Sequence, residues 1–371
     1  DPVTGSLANY TFQMNYGKPT VAVNSITVSD PNISMDQGQE LFQYHSVHPD
    51  NAHLNHVYYD QPNNPEHGDY INEAINTVLS SHYKGAQFFD RGDIARFETK
   101  NNYDYALGDG SKAYHPDRLT NFQRALTFLD KKYLVVLDRI TAAKPNFVKR
   151  WYLHTVKEPT ISGTPLTDTS SQDGSTTWSQ TNFNNLYIDS DPSGGRLFVK
   201  SLLPEGATYR KRGGEGFFFW RNDRSWNSEA GSAADKSDSL FEGRKGWRLE
   251  QDISGQKEDI FLNVLFPTDS TVSSMPETVR ISQTDGNMPT ANMVGAHIKD
   301  SAENKVVLFS SDPQGGTVNG NIMYSVNLTT NGKNFLFDLD PNLLSPALKY
   351  DITSVRAGTT KTITISPGSG N

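Results

Sequence analysis

Residues 133–156 place the tightest constraint on the fold. Tyr133 to Ile140 reads YLVVLDRI, a β-rich run. Lys144-Pro145-Asn146 follows as a turn, and Phe147 to Val156 (FVKRWYLHTV) reads as a second strand. Strand runs bounded by turn residues are the pattern of a chain built from short strands. In the second run, a period of two puts Arg150, Tyr152 and His154 on one face and Trp151 and Leu153 on the other.

The same pattern recurs along the chain. Thr20 to Val28, Asn185 to Ile188, Arg196 to Leu202, Gly216 to Trp220 and Trp247 to Ile253 read as strands between Gly, Pro, Asp and Ser clusters. Asp259 to Phe266 (DIFLNVLF) reads as a fully buried strand. Lys305 to Ser310, Ile322 to Leu328, Phe335 to Leu339 and Lys361 to Ile365 continue to the end. The best helix candidate is Tyr70 to Ser80 with Asp69 as N-cap, and that segment suits a strand equally well. Parallel βαβ units need crossover helices, and there is no room for a series of them. The expectation is an all-β chain: a large antiparallel two-layer β-sandwich followed by a smaller C-terminal β domain. The boundary is placed in the polar stretch Gln283 to Met293, giving residues 1–285 and 286–371. Gly163 to Asn185, Arg221 to Gly246 and Asp30 to Asp69 read as long polar loops.

Composition agrees. Only 35% of the 371 residues are hydrophobic while 11% are aromatic, with 29 Gly and 19 Pro, which suits many short strands and turns. A disordered chain would lack the aromatics. Cysteine is absent, which removes disulfides, thiolate metal sites and a cysteine nucleophile. The net charge of −8 argues against nucleic acid as a partner. No apolar run approaches the ~20 residues of a membrane helix. The chain opens at Asp1-Pro2-Val3 without Met, which reads as a processed or excised N-terminus. Asn9, Asn32 and Asn327 head N-glycosylation patterns. The expected setting is secreted, extracellular or cell-surface, with the periplasm as the alternative.

Two groups of side chains carry candidate chemistry. His45, His48, His53, His56 and His67 lie within Tyr44 to Gly68, beside Asp50, Asp60, Glu66 and Asp69. His45, His48, His53 and His56 form two i, i+3 pairs that suit a divalent metal such as Zn. A second reading makes one of these histidines, His53 or His56 first, a catalytic base with Tyr58 or Tyr59, and a third makes the segment a polar surface loop. The other group is basic and aromatic: Tyr209, Arg210, Lys211, Arg212, Trp220, Arg221, Arg224 and Trp226. Sugars stack on aromatic faces and Arg pairs with carboxylates or sulfates, so Arg210, Arg212, Trp220, Arg221 and Trp226 are candidates for acidic polysaccharide. The alternative is a loop packing its aromatics on the sandwich edge. His154 reads either as part of a polar groove or as a buried, hydrogen-bonded histidine. No G-x-S-x-G, P-loop, dinucleotide fingerprint or EF-hand loop occurs.

Four segments in order carry a resemblance to heparinase II/III-type polysaccharide lyases. They are Tyr103 to Tyr114 (YDYALGDGSKAY), Arg124 to Thr155 with VVLDRI and KRWYLHT, Gly213 to Trp220 with Gly246 to Glu250 and Asp259 to Leu265, and Val294 to Ile365. The resemblance implies an α/α toroid, a large antiparallel β-sandwich and a smaller β domain. It implies β-elimination on uronic-acid polysaccharides, with a Tyr and a His from the toroid acting with a His from the sandwich. It also implies a structural Zn in the sandwich of some members.

This chain departs from that pattern. Its 371 residues hold no toroid. A gapless placement puts Thr4, Ser6 and Ala8 at the family's His-x-His-x-Asp positions, Asn24 at the metal-binding Asp and Ile75 at a further His. Neutral side chains there do not supply zinc donors. The expectation is a catalytically incomplete relative that needs no cofactor and serves as a glycan-binding or self-assembling component. Strand addition through Asp1 to Tyr16 would link copies into an oligomer or filament. The alternatives are the β part of an active lyase, and a metal-dependent activity at the His45–His67 loop.

Overall fold

The structure is a computed structural model. It describes residues 20–31, 92–99, 103–114, 118–181, 183–190, 194–221, 224–225, 246–281, 293–300 and 304–310, and the backbone of four later strands. The first strands are β1 (Ile26–Ser29), β2 (Asp93–Thr99), β3 (Tyr103–Asp109), β4 (Leu119–Leu129), β5 (Tyr133–Ala142) and β6 (Val148–Thr155). Next come β7 (Thr160–Gly163), β8 (Thr167–Thr169), β9 (Ser175–Ser179), β10 (Phe183–Ser190), β11 (Gly195–Leu203) and β12 (Thr208–Arg212). A hairpin, β13 (Trp220–Arg221) and β14 (Arg224–Ser225), precedes β15 (Trp247–Ile253), β16 (Glu258–Asp269) and β17 (Glu277–Ile281). The last are β18 (Met293–Lys299), β19 (Asn304–Ser310), β20 (Tyr324–Thr329), β21 (Asn334–Asp338), β22 (Lys349–Ala357) and β23 (Thr360–Gly368).

These strands form an all-β protein. A six-stranded sheet has the order β1-β6-β15-β12-β9-β8, and an eight-stranded sheet has the order β2-β3-β4-β5-β16-β11-β10-β7. Every pair within both is antiparallel. One core lies between them: Ile26, Trp151, Leu153 and Leu249 meet Val136, Ile140, Phe261 and Leu265. A second core covers the other face of the eight-stranded sheet, where Leu137, Leu262, Val264 and Phe266 meet Ala296, Ile298, Val307 and Phe309. This explains the apolar runs YLVVL of β5 and IFL and VLF of β16, since successive residues enter opposite cores.

Polar groups bridge the layers. Arg124 grips Asp138 through two hydrogen bonds of 2.6 and 2.9 Å and donates to the Asn24 carbonyl at 2.5 Å. The Tyr114 hydroxyl donates to the Ile26 carbonyl at 2.7 Å. Deeper, Gln251 donates to the Leu203 carbonyl and the Tyr209 hydroxyl and accepts from Asn263. Buried polar groups so paired avoid the penalty of lost hydration.

The structure corrects four expectations. Thr20 to Val28 is not one strand: Thr20–Ala22 form a 3-10 turn and only Ile26–Ser29 pair. Gly216 to Trp220 is mostly turn, with left-handed φ values of 86° at Gly216 and 54° at Phe219, and only Trp220–Arg221 pair. Gly163 to Asn185 is largely ordered as β8, a four-residue helix (Ser170–Asp173) and β9. Its Ser/Thr-rich strands, β8 at the sheet edge and β9 next to it, carry too few apolar residues to show alternation. Finally, β19 and β21 pair in parallel. The four-stranded sheet β17-β18-β19-β21 draws β17 from before residue 285 and the others from after it.

Candidate functional site

The outer face of the six-stranded sheet is built from charge. Register sets Arg150, Tyr152 and His154 of β6 beside Asp252, Glu250 and Arg248 of β15. Thr208, Arg210 and Arg212 of β12 stand beside the same three residues of β15. Glu250 is thus the centre of a three-by-three grid. Trp151, Leu153 and Leu249 point the other way into the first core, as period two dictates.

Glu250 is fully buried and surrounded by guanidinium groups. Its Oε1 accepts from Arg248 Nε at 2.7 Å and Oε2 accepts from Arg210 Nη1 at 2.8 Å. Arg150 Nε lies 3.5 Å from Oε2 and Arg212 Nε 3.7 Å from Oε1. Arg150 also forks onto Asp252 at 2.6 and 2.8 Å, and Arg212 pairs with Asp173 at 3.1 Å. Burial alone would raise the Glu250 carboxyl, but Arg248, Arg150, Arg212 and Arg210 together hold it well below the usual carboxylate range.

The grid is electrically lopsided. At one end burial disfavours the Arg150 charge, but Asp252 and Glu250 overcome it and raise the pKa well above normal. At the other, burial and the repulsion of Arg248 and Arg210 lower Arg212 against the pull of Glu250 and Asp173. Four guanidinium groups meet three carboxylates here, an excess of one positive charge among these residues. At the Arg212–Arg248 end, where burial and repulsion already oppose the Arg212 charge, an added anion would relieve that repulsion.

Two segments cover this face. Val21 packs on Tyr152 together with Ala22 and Phe219. The Trp220 carbonyl accepts from Arg248 Nη1 at 3.2 Å, and the Trp220 ring lies 5.3 Å from that of Phe217. Trp220 Nε1 is buried without a hydrogen-bond partner among the described residues. Gly174 permits this approach, with φ of 69° and its carbonyl accepting from the Gly213 N–H at 3.0 Å. A Cβ at Gly174 would come within 2.4 Å of Phe217 Cβ.

His154 sits at the corner of the grid. Asn24 Oδ1 accepts its backbone N–H at 2.7 Å and lies 3.1 Å from its Nδ1. Burial, with Arg248 adding repulsion, lowers its pKa to about 4, and weaker pulls from the Val21 backbone and Glu250 do not reverse this. The zinc implied by the family resemblance does not fit here. Asn24 offers one neutral amide oxygen already turned to His154, and no three His, Cys, Asp or Glu residues converge among the described residues.

The structure brings Arg210, Arg212, Trp220 and Arg221 to one region, with Arg221 buried. Arg210 is held by Glu250 and Arg212 by Asp173 and Glu250. Trp226, His45, His48, His53, His56 and Tyr58 lie outside the described residues. Sequence reasoning missed Glu250 and Asp252 as the anchors. The signal was the alternation Arg248, Glu250, Asp252 opposite Arg150, Tyr152, His154, two polar faces that only make sense together.

No family model and no curated protein matches the chain. Among solved structures it is similar to a heparan sulfate lyase from Pedobacter heparinus, at 16% identity and TM-score 0.36, over 60% of this chain and 28% of that one. It is similar to heparinase III at 12% identity and TM-score 0.37, over 59% of this chain and 27% of that one. A 4-alpha-glucanotransferase from Thermococcus litoralis matches at 10% identity and TM-score 0.26, over 65% of this chain and 26% of that one. The chain thus spans under a third of the length of each.

Proposed function

We propose that this chain is an extracellular β-sandwich protein related to polysaccharide lyases that binds an acidic glycan and does not cleave it. The observation that carries the reading is the one-charge excess of the arginine grid, with partly exposed Arg210 and Arg212 among its members and the Trp220 segment on its face. Guanidinium groups pair with carboxylate or sulfate, and an indole offers a face to a sugar ring. Removing the C5 proton of a uronate needs a base within reach and an acid for the leaving oxygen. His154 Nε2 is buried, so this ring offers no open base. Binding by the full chain to sulfated, uronate and neutral polysaccharides, measured by calorimetry, tests the reading. Selective binding to acidic chains, weakened by Arg212→Gln, supports it. Equal binding to neutral chains, or none to any, sinks it.

A second reading is the β part of an active lyase whose remaining groups lie elsewhere. Its base would be His154, whose lowered pKa keeps the imidazole neutral, and it requires the segments over Nε2 to move aside when those groups join. Unsaturated uronate released by the isolated chain, and lost in His154→Gln, would decide for this reading.

A further inference from the structure

The eight-stranded sheet ends at β2, which has no second neighbour among the described residues. An edge strand leaves half its backbone groups unpaired, and proteins normally blunt it. Here the edge carries a bulge between Ile94 and Arg96 and the exposed Asp93 charge, yet it also presents large apolar side chains: Ile94 is 78% exposed and Phe97 70%. Register aligns exposed Phe97 with half-buried Ala106 and Ala106 with exposed Leu126, an apolar row running from β2 through β3 to β4. The row continues into buried Val136 of the first core. It is therefore the flank of the core-facing surface that the six-stranded sheet does not cover.

The sequence of β2 is self-complementary. In an antiparallel pair with its two-fold axis at Phe97, each Arg96 stands opposite a Glu98 and Phe97 stands opposite itself. By the two-residue period the Arg96 and Glu98 positions fall on one side of the joined sheet and the two Phe97 positions on the other. The apolar row would then run unbroken from Leu126 of one copy to Leu126 of the next. A register displaced by one residue loses both charge pairs.

We propose that β2 is a self-association edge, taking a second copy of this chain by antiparallel β2–β2 pairing centred on Phe97. The pairing joins two eight-stranded sheets through closed two-fold symmetry. It lies on a different sheet from the arginine grid, so it stands or falls independently of glycan binding. A seven-residue edge buries less than a standard interface, so the dimer is concentration-dependent.

The absence of cysteine makes the test clean. In the full chain, Phe97→Cys is oxidised under mild conditions beside Val156→Cys, whose site is also exposed. Residues opposite each other on paired strands are close enough for a disulfide. The expected result is rapid dimer cross-linking at position 97 alone. Sedimentation of otherwise native chains then follows charge. Glu98→Arg weakens association by about tenfold, and Arg96→Glu combined with Glu98→Arg restores it. Cross-linking at 97 no faster than at 156, or a double variant as weak as the single one, overturns the proposal.

Discussion

Asn24 Oδ1 receives the backbone N–H of His154 at 2.7 Å and stands 3.1 Å from its Nδ1. A backbone N–H can only donate, so the atom facing it is the amide oxygen, and the amide orientation is fixed. An oxygen there requires a proton on Nδ1, which leaves Nε2 bare in the neutral ring. The pH consequence follows. The folded pKa is about 4 against 6.5 for an ordinary histidine. Between those values the unfolded chain binds more protons, so stability rises with pH. The contribution is complete above the unfolded value and is lost as pH falls to the folded one, at most about 3 kcal/mol. Thermal unfolding of His154→Gln from about pH 4 to about pH 7 is expected to show a flatter rise than the native chain.

Removing the centre of the grid is expected to be severe. Glu250→Gln leaves Arg150, Arg210, Arg212 and Arg248 facing a neutral amide. Breaking a buried ion pair from one side costs about 3–5 kcal/mol. Asp252 is partly exposed and keeps less of the grid together, so Asp252→Asn should cost less. Denaturant unfolding of the two variants checks the order.

The Asp of VVLDRI is likewise a buried carboxylate held by a guanidinium. Asp138 is buried and forms both oxygens of the Arg124 fork, and Arg124 in turn holds the Asn24 carbonyl. Asp138→Asn is expected to cost about 3 kcal/mol and to loosen Asn24. Hydrogen exchange at the His154 amide, which donates to Asn24, should quicken in this variant by more than exchange at the Leu249 amide in the centre of the same sheet.

Two glycines separate packing from backbone strain. Gly174 and Gly216 both have left-handed φ, but a Cβ meets Phe217 at Gly174 and nothing within 4 Å at Gly216. Both alanine substitutions carry the left-handed penalty of roughly 1–2 kcal/mol. Gly174→Ala adds about 1–3 kcal/mol of overpacking and displaces the segment bearing Trp220. Thermal unfolding with tryptophan fluorescence distinguishes them, since only Gly174→Ala should change the emission of the folded state.

The strands that bury both faces were legible. YLVVLDRI and DIFLNVLF lie in β5 and β16, because strands sandwiched between two cores carry apolar residues on both faces, with only a few paired polar groups among them. The faces of Arg150, Tyr152 and His154 were also readable from period two alone. β8 and β9 were not, because Thr167–Thr169 at the sheet edge and Ser175–Ser179 next to it are Ser/Thr-rich. Glu250 was hidden for a different reason. Alternating charges on one strand read as a solvent face, and only long-range register shows that Tyr152 and Arg210 flank it. The histidine group and Trp226 fall outside the described residues, so their proposed roles rest on sequence.

The central claim is binding without cleavage. The full chain mixed with a uronate polysaccharide should be followed by calorimetry and by the ultraviolet absorbance of a new C4–C5 double bond in the same sample. The account predicts heat of binding that weakens with added salt, and no rise in absorbance. A rising absorbance, or no binding at low salt, would contradict it.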